Sequence, residues 1–126
     1  MARLSEQRRK VLALIREGGH WEADALHREL VRRGERMGLA TVYRALAALE
    51  AEGLVQSVEW GGRRRYERAD KAHHDHMVCT RCGRIEEFVD PDIELRQVRA
   101  AEKSGFRIEA HQLVLFGICA RCQEGE

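Results

Sequence analysis

One proline in 126 residues leaves no room for a proline-rich linker or a collagen-like repeat. No run of 18 apolar residues occurs, which excludes a membrane-spanning helix. The first ten residues, Met1 to Lys10, hold no apolar stretch of the kind a secretory signal needs, so a cytoplasmic protein is expected. Nothing repeats at a fixed period. Net charge is scarce as well: 22 Lys+Arg stand against 21 Asp+Glu, for a formal +1. Disorder is excluded by the 44% of apolar residues.

What is present is unevenly placed. Residues 1–72 carry 15 basic and 11 acidic side chains, whereas residues 73–126 carry 7 basic and 10 acidic. The second stretch also holds all four cysteines and four of the six histidines. A mildly basic half followed by an acidic, His/Cys-rich half predicts two small modules with different partners. About 70 residues can sustain a hydrophobic core, but about 50 ordinarily need a metal, a disulfide or a partner subunit.

The cysteines stand as Cys79-Thr80-Arg81-Cys82 and Cys119-Ala120-Arg121-Cys122, with 36 residues between the two motifs. Two residues between cysteines let both thiolates of a tight turn converge on one ion, and two such turns complete a tetrahedral shell suited to structural zinc. Gly83 follows the first knuckle and permits a left-handed backbone there. A lone redox CxxC would be single, and disulfides are disfavoured in a reducing compartment.

In the first half, Ser5 is placed to cap a helix to about Glu17, with Val11, Leu14 and Ile15 on one face. A second helix, about Glu22 to Arg33, and a third, Leu39 to Glu52, follow, the last burying Val42, Ala45, Leu46 and Leu49. Leu54–Trp60 and Arg63–Glu67 read as strands joined by Gly61-Gly62. Three helices and a hairpin are the order of a winged helix. The third helix turns Ala40, Arg44, Ala47 and Ala51 outward, with Thr41 and Tyr43 on the flanks. Small side chains let a helix enter the major groove closely, where Arg44 and Tyr43 can meet bases or phosphates. Arg63-Arg64-Arg65 is placed to follow the sugar-phosphate backbone. An alanine-rich helix packing on a protein partner would show the same pattern.

His73-His74-Asp75-His76 lies just ahead of the first knuckle. In an extended segment side chains alternate, so His74 and His76 point one way while His73 and Asp75 point the other. One short strand can then feed two metal sites completed from elsewhere, with Glu87, Glu94 and His111 downstream and His20 and Glu67 upstream as candidates. Imidazole with carboxylate suits Fe(II), Mn(II), Zn(II) or Co(II). Lone histidines such as His20 or His27 are ordinarily surface or helix-cap residues.

Three ordered motifs, Gly38 to Arg44 with Gly53-Leu54-Val55, His73 to Gly83, and Gly117 to Cys122, resemble the ferric uptake regulator family over about residues 4 to 122. The resemblance implies an α+β protein: an N-terminal winged helix-turn-helix domain (1–69), a hinge (70–72) and a C-terminal α/β dimerisation domain (73–126) with a four-cysteine zinc site. It implies a homodimeric, metal-dependent repressor of a palindromic double-stranded DNA operator. By position, Cys79, Cys82, Cys119 and Cys122 match the structural zinc ligands. His20, Glu67, His74, His76 and Glu87 match a regulatory site bridging the domains, and His73, Asp75, Glu94 and His111 a further site. Tyr43 and Arg44, with Thr41 beside them, match DNA-contacting positions; Arg3 and Arg8 resemble residues that reach the minor groove and a phosphate. Glu67 and Glu87, where peroxide sensors of the family carry aspartates, favour Fe(II) as the signal. Peroxide, then zinc or manganese, are the alternatives, and outside the family a zinc-ribbon protein-interaction scaffold. An enzyme is not expected: neither H-E-x-x-H nor H-x-E with P-C-x-x-C occurs.

Overall fold

A computed structural model of the chain describes residues 5–125. They divide into two compact units, with the boundary between Lys71 and Ala72.

In the first unit three helices precede a hairpin: α1 (Glu6–Arg16), α2 (Ala23–Arg32), α3 (Leu39–Ala51), β1 (Val55–Trp60) and β2 (Arg63–Arg68). Ser5 caps α1, its hydroxyl accepting from the Arg8 backbone N–H at 3.2 Å. Apolar residues at helical spacing on all three helices meet in one core containing Val11, Ile15, Leu26, Val42, Leu46 and Leu49, each fully buried. Leu46→Ala should therefore cost about 2–5 kcal/mol, because the emptied volume is walled by three helices that cannot all collapse into it. Urea denaturation of the full chain measures this, and a loss under about 1 kcal/mol would contradict the packing.

The hairpin turns at Gly61-Gly62, both with positive φ (56° and 75°), the backbone a two-residue turn matched to strand twist requires. That turn sets the register: Trp60 faces Arg63, Val58 faces Arg65 and Gln56 faces Glu67. A third segment joins through a bridge between Trp21 and Tyr66, closed by two backbone hydrogen bonds of 2.8 Å.

The second unit holds β3 (Asp75–Cys79), β4 (Ile85–Phe88), α4 (Pro91–Lys103), β5 (Val114–Gly117) and α5 (Ala120–Glu124). Its sheet runs β4-β3-β5, antiparallel on one side of β3 and parallel on the other. Asp90 caps α4, accepting from the N–H groups of Asp92 and Ile93, and Pro91 opens the helix where no N–H partner is needed. Among the described residues, this unit buries only Val78 and Cys79 of its apolar side chains. Met77, Val89, Leu95, Val98, Phe106, Ile108, Leu115 and Phe116 are exposed. Such a unit cannot hold itself together by its own apolar burial.

Candidate metal centres and nucleic-acid interface

The parallel pairing of β3 with β5 sets Cys79 opposite Gly117, and this register brings the second knuckle beside the first. The Thr80 N–H donates to the Gly117 carbonyl at 2.8 Å, tying the two loops together. The sulfurs of Cys79 and Cys122 are 3.8 Å apart, as are those of Cys82 and Cys119. A tetrahedron of ligands about 2.3 Å from zinc has edges of about 3.8 Å, so these two edges already match the spacing zinc imposes, and all four sulfurs lie within 4.8 Å of one another. The backbone N–H groups of Cys119 (3.3 Å) and Cys82 (3.5 Å) both donate to Cys79 Sγ and pull its thiol down to about 5. The Cys122 N–H likewise lowers Cys119. Contact with the Cys119 sulfur pushes Cys122 up to about 12. Amides that favour thiolates, set among sulfurs that repel a further negative charge, make a cage that fits a dication.

On β3 the side chains alternate. The rings of His74 and His76 lie 4.7 Å apart, and His74 Nε2 is 3.7 Å from Glu87 Oε1, the residue paired with His76 on β4. On the other side His73 meets His111, ring centroids 4.5 Å apart, and Asp75 and Glu94 join them. His111 Nε2 is 2.9 Å from Asp75 Oδ1 and 3.6 Å from Glu94 Oε1, while His73 Nε2 is 3.1 Å from the same Glu94 oxygen. Asp75 is 1% exposed and, among the described residues, its Oδ2 has no hydrogen-bond partner. A buried carboxylate oxygen left so costs free energy unless a cation satisfies it, so this quartet also fits a divalent metal.

In the first unit, His20 Nε2 faces Glu67 Oε2. The Trp21–Tyr66 bridge creates this pairing, because each ligand candidate is the chain neighbour of a bridge residue. Glu67 is fully buried, and its other oxygen accepts from Gln56 Nε2 at 2.6 Å. Sequence reasoning does not single out Gln56, although a two-residue turn at Gly61-Gly62 already sets it opposite Glu67. His27 lies outside these groups, its Nε2 2.8 Å from the Met37 carbonyl oxygen.

Helix α3 turns Ala40, Tyr43, Arg44 and Ala47 to solvent. Arg44 donates to Thr41 Oγ1 at 3.1 Å, which holds the guanidinium along the helix face. Tyr43 is half exposed. Arg8 is half-buried on α1, and Arg3 lies outside the described residues. The expected basic stripe on the second wing strand is corrected. Strand alternation sends Arg65 to the face opposite Arg64, where it is buried with its guanidinium carbon 5.4 Å from the Trp60 ring centroid. Arg64 is held by Glu59 at 2.7 Å and Glu50 at 3.5 Å. Arg63 extends into solvent, 3.9 Å from Glu22.

Fold and donor groups together define a winged-helix protein coupled to an α/β unit that carries a four-cysteine cluster of zinc-site geometry. The ferric uptake regulator family model matches residues 1–116. The chain belongs to that family. It is 42% identical over 121 residues to a ferric uptake regulation protein of Bordetella parapertussis, covering 94% of this chain and 87% of that one. The solved ferric uptake regulator of Francisella tularensis with iron superposes with a TM-score of 0.90 at 29% identity, covering 97% of this chain and 95% of that chain. A second, from Helicobacter pylori, described as having three functional metal-binding sites, gives 0.90 at 34% identity, covering 96% and 82%.

Proposed function

We propose that this protein is a transcriptional repressor that binds a palindromic operator as a homodimer when Fe(II) occupies a regulatory site. One observation carries the reading: each unit holds its own pair of metal donors, His20 with Glu67 in the first and His74 with His76 in the second. A divalent ion supplies the positive charge that lets two imidazoles from one unit and a buried carboxylate from the other converge. His20 and Glu67 are anchored by the Trp21–Tyr66 bridge, and His76 and Glu87 by the β3–β4 pairing with His74 directly before β3, so neither set can move without its unit. Restricting the swing about residues 70–72 favours one spacing of the two recognition helices. The gain in operator affinity equals the preference of the ion for that arrangement over the others and can be no larger.

The four cysteines are the structural zinc ligands, with no part in switching. His73, Asp75, Glu94 and His111 form an additional site inside the second unit. The exposed apolar side chains of that unit, Leu95, Val98, Leu115 and Phe116 among them, are covered by a second copy. On α3, Tyr43 and Arg44 contact the duplex, with Thr41 orienting the arginine. A regulatory role in the cytoplasm, rather than catalysis, follows from the same reading.

Duplexes selected from a random pool, titrated anaerobically with Fe(II), Mn(II) and Zn(II) over zinc-loaded protein, test it. Binding that rises with Fe(II) above the others is expected. Binding indifferent to every metal would refute the proposal, and Fe(II)-activated binding destroyed by peroxide, with added mass on a ligand histidine, would replace iron by peroxide as the signal. Arg44→Ala should weaken binding and lower the slope of log affinity against log salt by about 1. An unchanged slope would remove Arg44 from the phosphate contacts.

A further inference from the structure

The regulatory carboxylate has a fixed orientation before any ion arrives. Gln56 and Glu67 are directly opposed on the antiparallel hairpin. Across that pair the Gln56 amide donates to Glu67 Oε1 at 2.6 Å, which leaves Oε2 as the oxygen that faces His20 Nε2. A carboxylate can ligate through one oxygen or chelate through both. Chelation brings both oxygens close to the ion, and the amide competes for one of them by holding it toward β1. The side chain of Glu67 is fully buried, so it has no solvent-facing rotamer by which to escape that hold.

We propose that Gln56 is a positioning residue that makes Glu67 a one-oxygen ligand and thereby biases the regulatory site toward ions that accept low coordination numbers. Fe(II), Co(II) and Zn(II) all accept four or five ligands, whereas Mn(II) prefers six and gains most from a chelating carboxylate. The amide thus sets metal preference without touching the metal. This is the logic by which groups behind a ligand fix its orientation, and removing one commonly changes affinity by about 10–100-fold. The inference rests on Glu67 being a regulatory ligand, as proposed above.

The full-length protein, with zinc retained in the cysteine site, is titrated with Co(II) and separately with Mn(II). Absence of thiolate-to-cobalt charge-transfer absorption verifies that cobalt has not entered the cysteines. Gln56→Met keeps the length and apolar stem of the side chain but removes the donor; Gln56→Leu is the second variant if the first perturbs folding, and unchanged far-ultraviolet dichroism and dimer mass show that it has not. Both should weaken Co(II) binding by about 10–100-fold and Mn(II) binding less. The d–d absorption of bound Co(II) should also lose intensity, as higher coordination dictates. An unchanged Co(II)-to-Mn(II) affinity ratio together with an unchanged cobalt spectrum, in a protein whose band is abolished by Glu67→Gln, would overturn the role of Gln56 and leave the regulatory site standing. A wild-type cobalt band indifferent to both His20→Ala and Glu67→Gln would remove the site itself, and with it this inference.

Discussion

Cys79→Ser should leave residues 72–126 without a cooperative unfolding transition, while the first unit stays folded. The expectation comes from how little else holds the second unit. Its buried apolar side chains among the described residues are Val78 and Cys79, and α4 buries none. Most of its large apolar side chains are exposed, so the unit by itself gains little hydrophobic stabilisation. The zinc cluster crosslinks what the sheet alone does not: Cys79 and Cys82 flank the turn after β3, and Cys119 and Cys122 start α5 beyond β5. Binding free energy at a structural zinc site, about 10–16 kcal/mol in small peptides, is folding free energy when no preformed site exists in the unfolded chain. Serine offers a poor ligand for zinc and leaves the N–H groups of Cys82 and Cys119 aimed at an oxygen that does not carry the thiolate charge. Calorimetry would then show one transition where the wild type shows the second unit as well, and mass spectrometry under native conditions would show zinc-free monomer. A zinc-free, folded dimer of Cys79→Ser would refute the structural assignment, and so would a wild-type protein whose dimer survives strong chelation at equilibrium.

His76→Ala should separate folding from switching. The variant is expected to keep its zinc and its dimer, and to bind DNA with an affinity that no longer responds to Fe(II). His76 is nearly buried on β3, its ring against His74, opposite Glu87 on β4. Loss of one ligand lowers the affinity of the site by at least the roughly 10–100-fold that removal of a supporting group costs, and the metal-induced gain in DNA binding shrinks by the same factor. Because alanine also leaves a small cavity, His76→Gln is the companion variant; it fills most of the volume and retains polarity without reproducing the imidazole. Its thermal midpoint should stay near that of the wild type while the metal response is lost. A full Fe(II) response in both variants would place the regulatory ion elsewhere. Alanine at His73 or His111 gives the contrast, since those residues belong to the other donor group on the far side of the same strand.

Much of this molecule is legible in its letters, for identifiable reasons. The three helices of the first unit follow from apolar residues at 3.6-residue spacing and from Ser5 at the start of the first, and each observed boundary falls within a residue or two of that reading. The paired cysteines announce their partners because two residues between ligands are enough to close a knuckle. The split of His73-His74-Asp75-His76 into two faces follows from the pleat of an extended strand and nothing more. Arg65 departs from expectation, since a run of three arginines suggests a common surface whereas a strand divides it between two faces.

Local pattern reaches as far as forces acting within a few residues reach. Helix phase, turn type and knuckle spacing are of that kind, and this chain declares them along its length. Which distant side chains share a site depends instead on register between segments far apart: Cys79 beside Cys119 through the parallel β3–β5 pairing, Asp75 beside His111, and His20 beside Glu67 through a single bridge at Trp21. Likewise, only the fold shows that Gln56 has taken one oxygen of Glu67 and that Asp75 Oδ2 finds no hydrogen-bond donor among the described residues. Composition names the donors; pairing across the sheet chooses their company, because hydrogen bonds between strands fix neighbours that no spacing along the chain encodes.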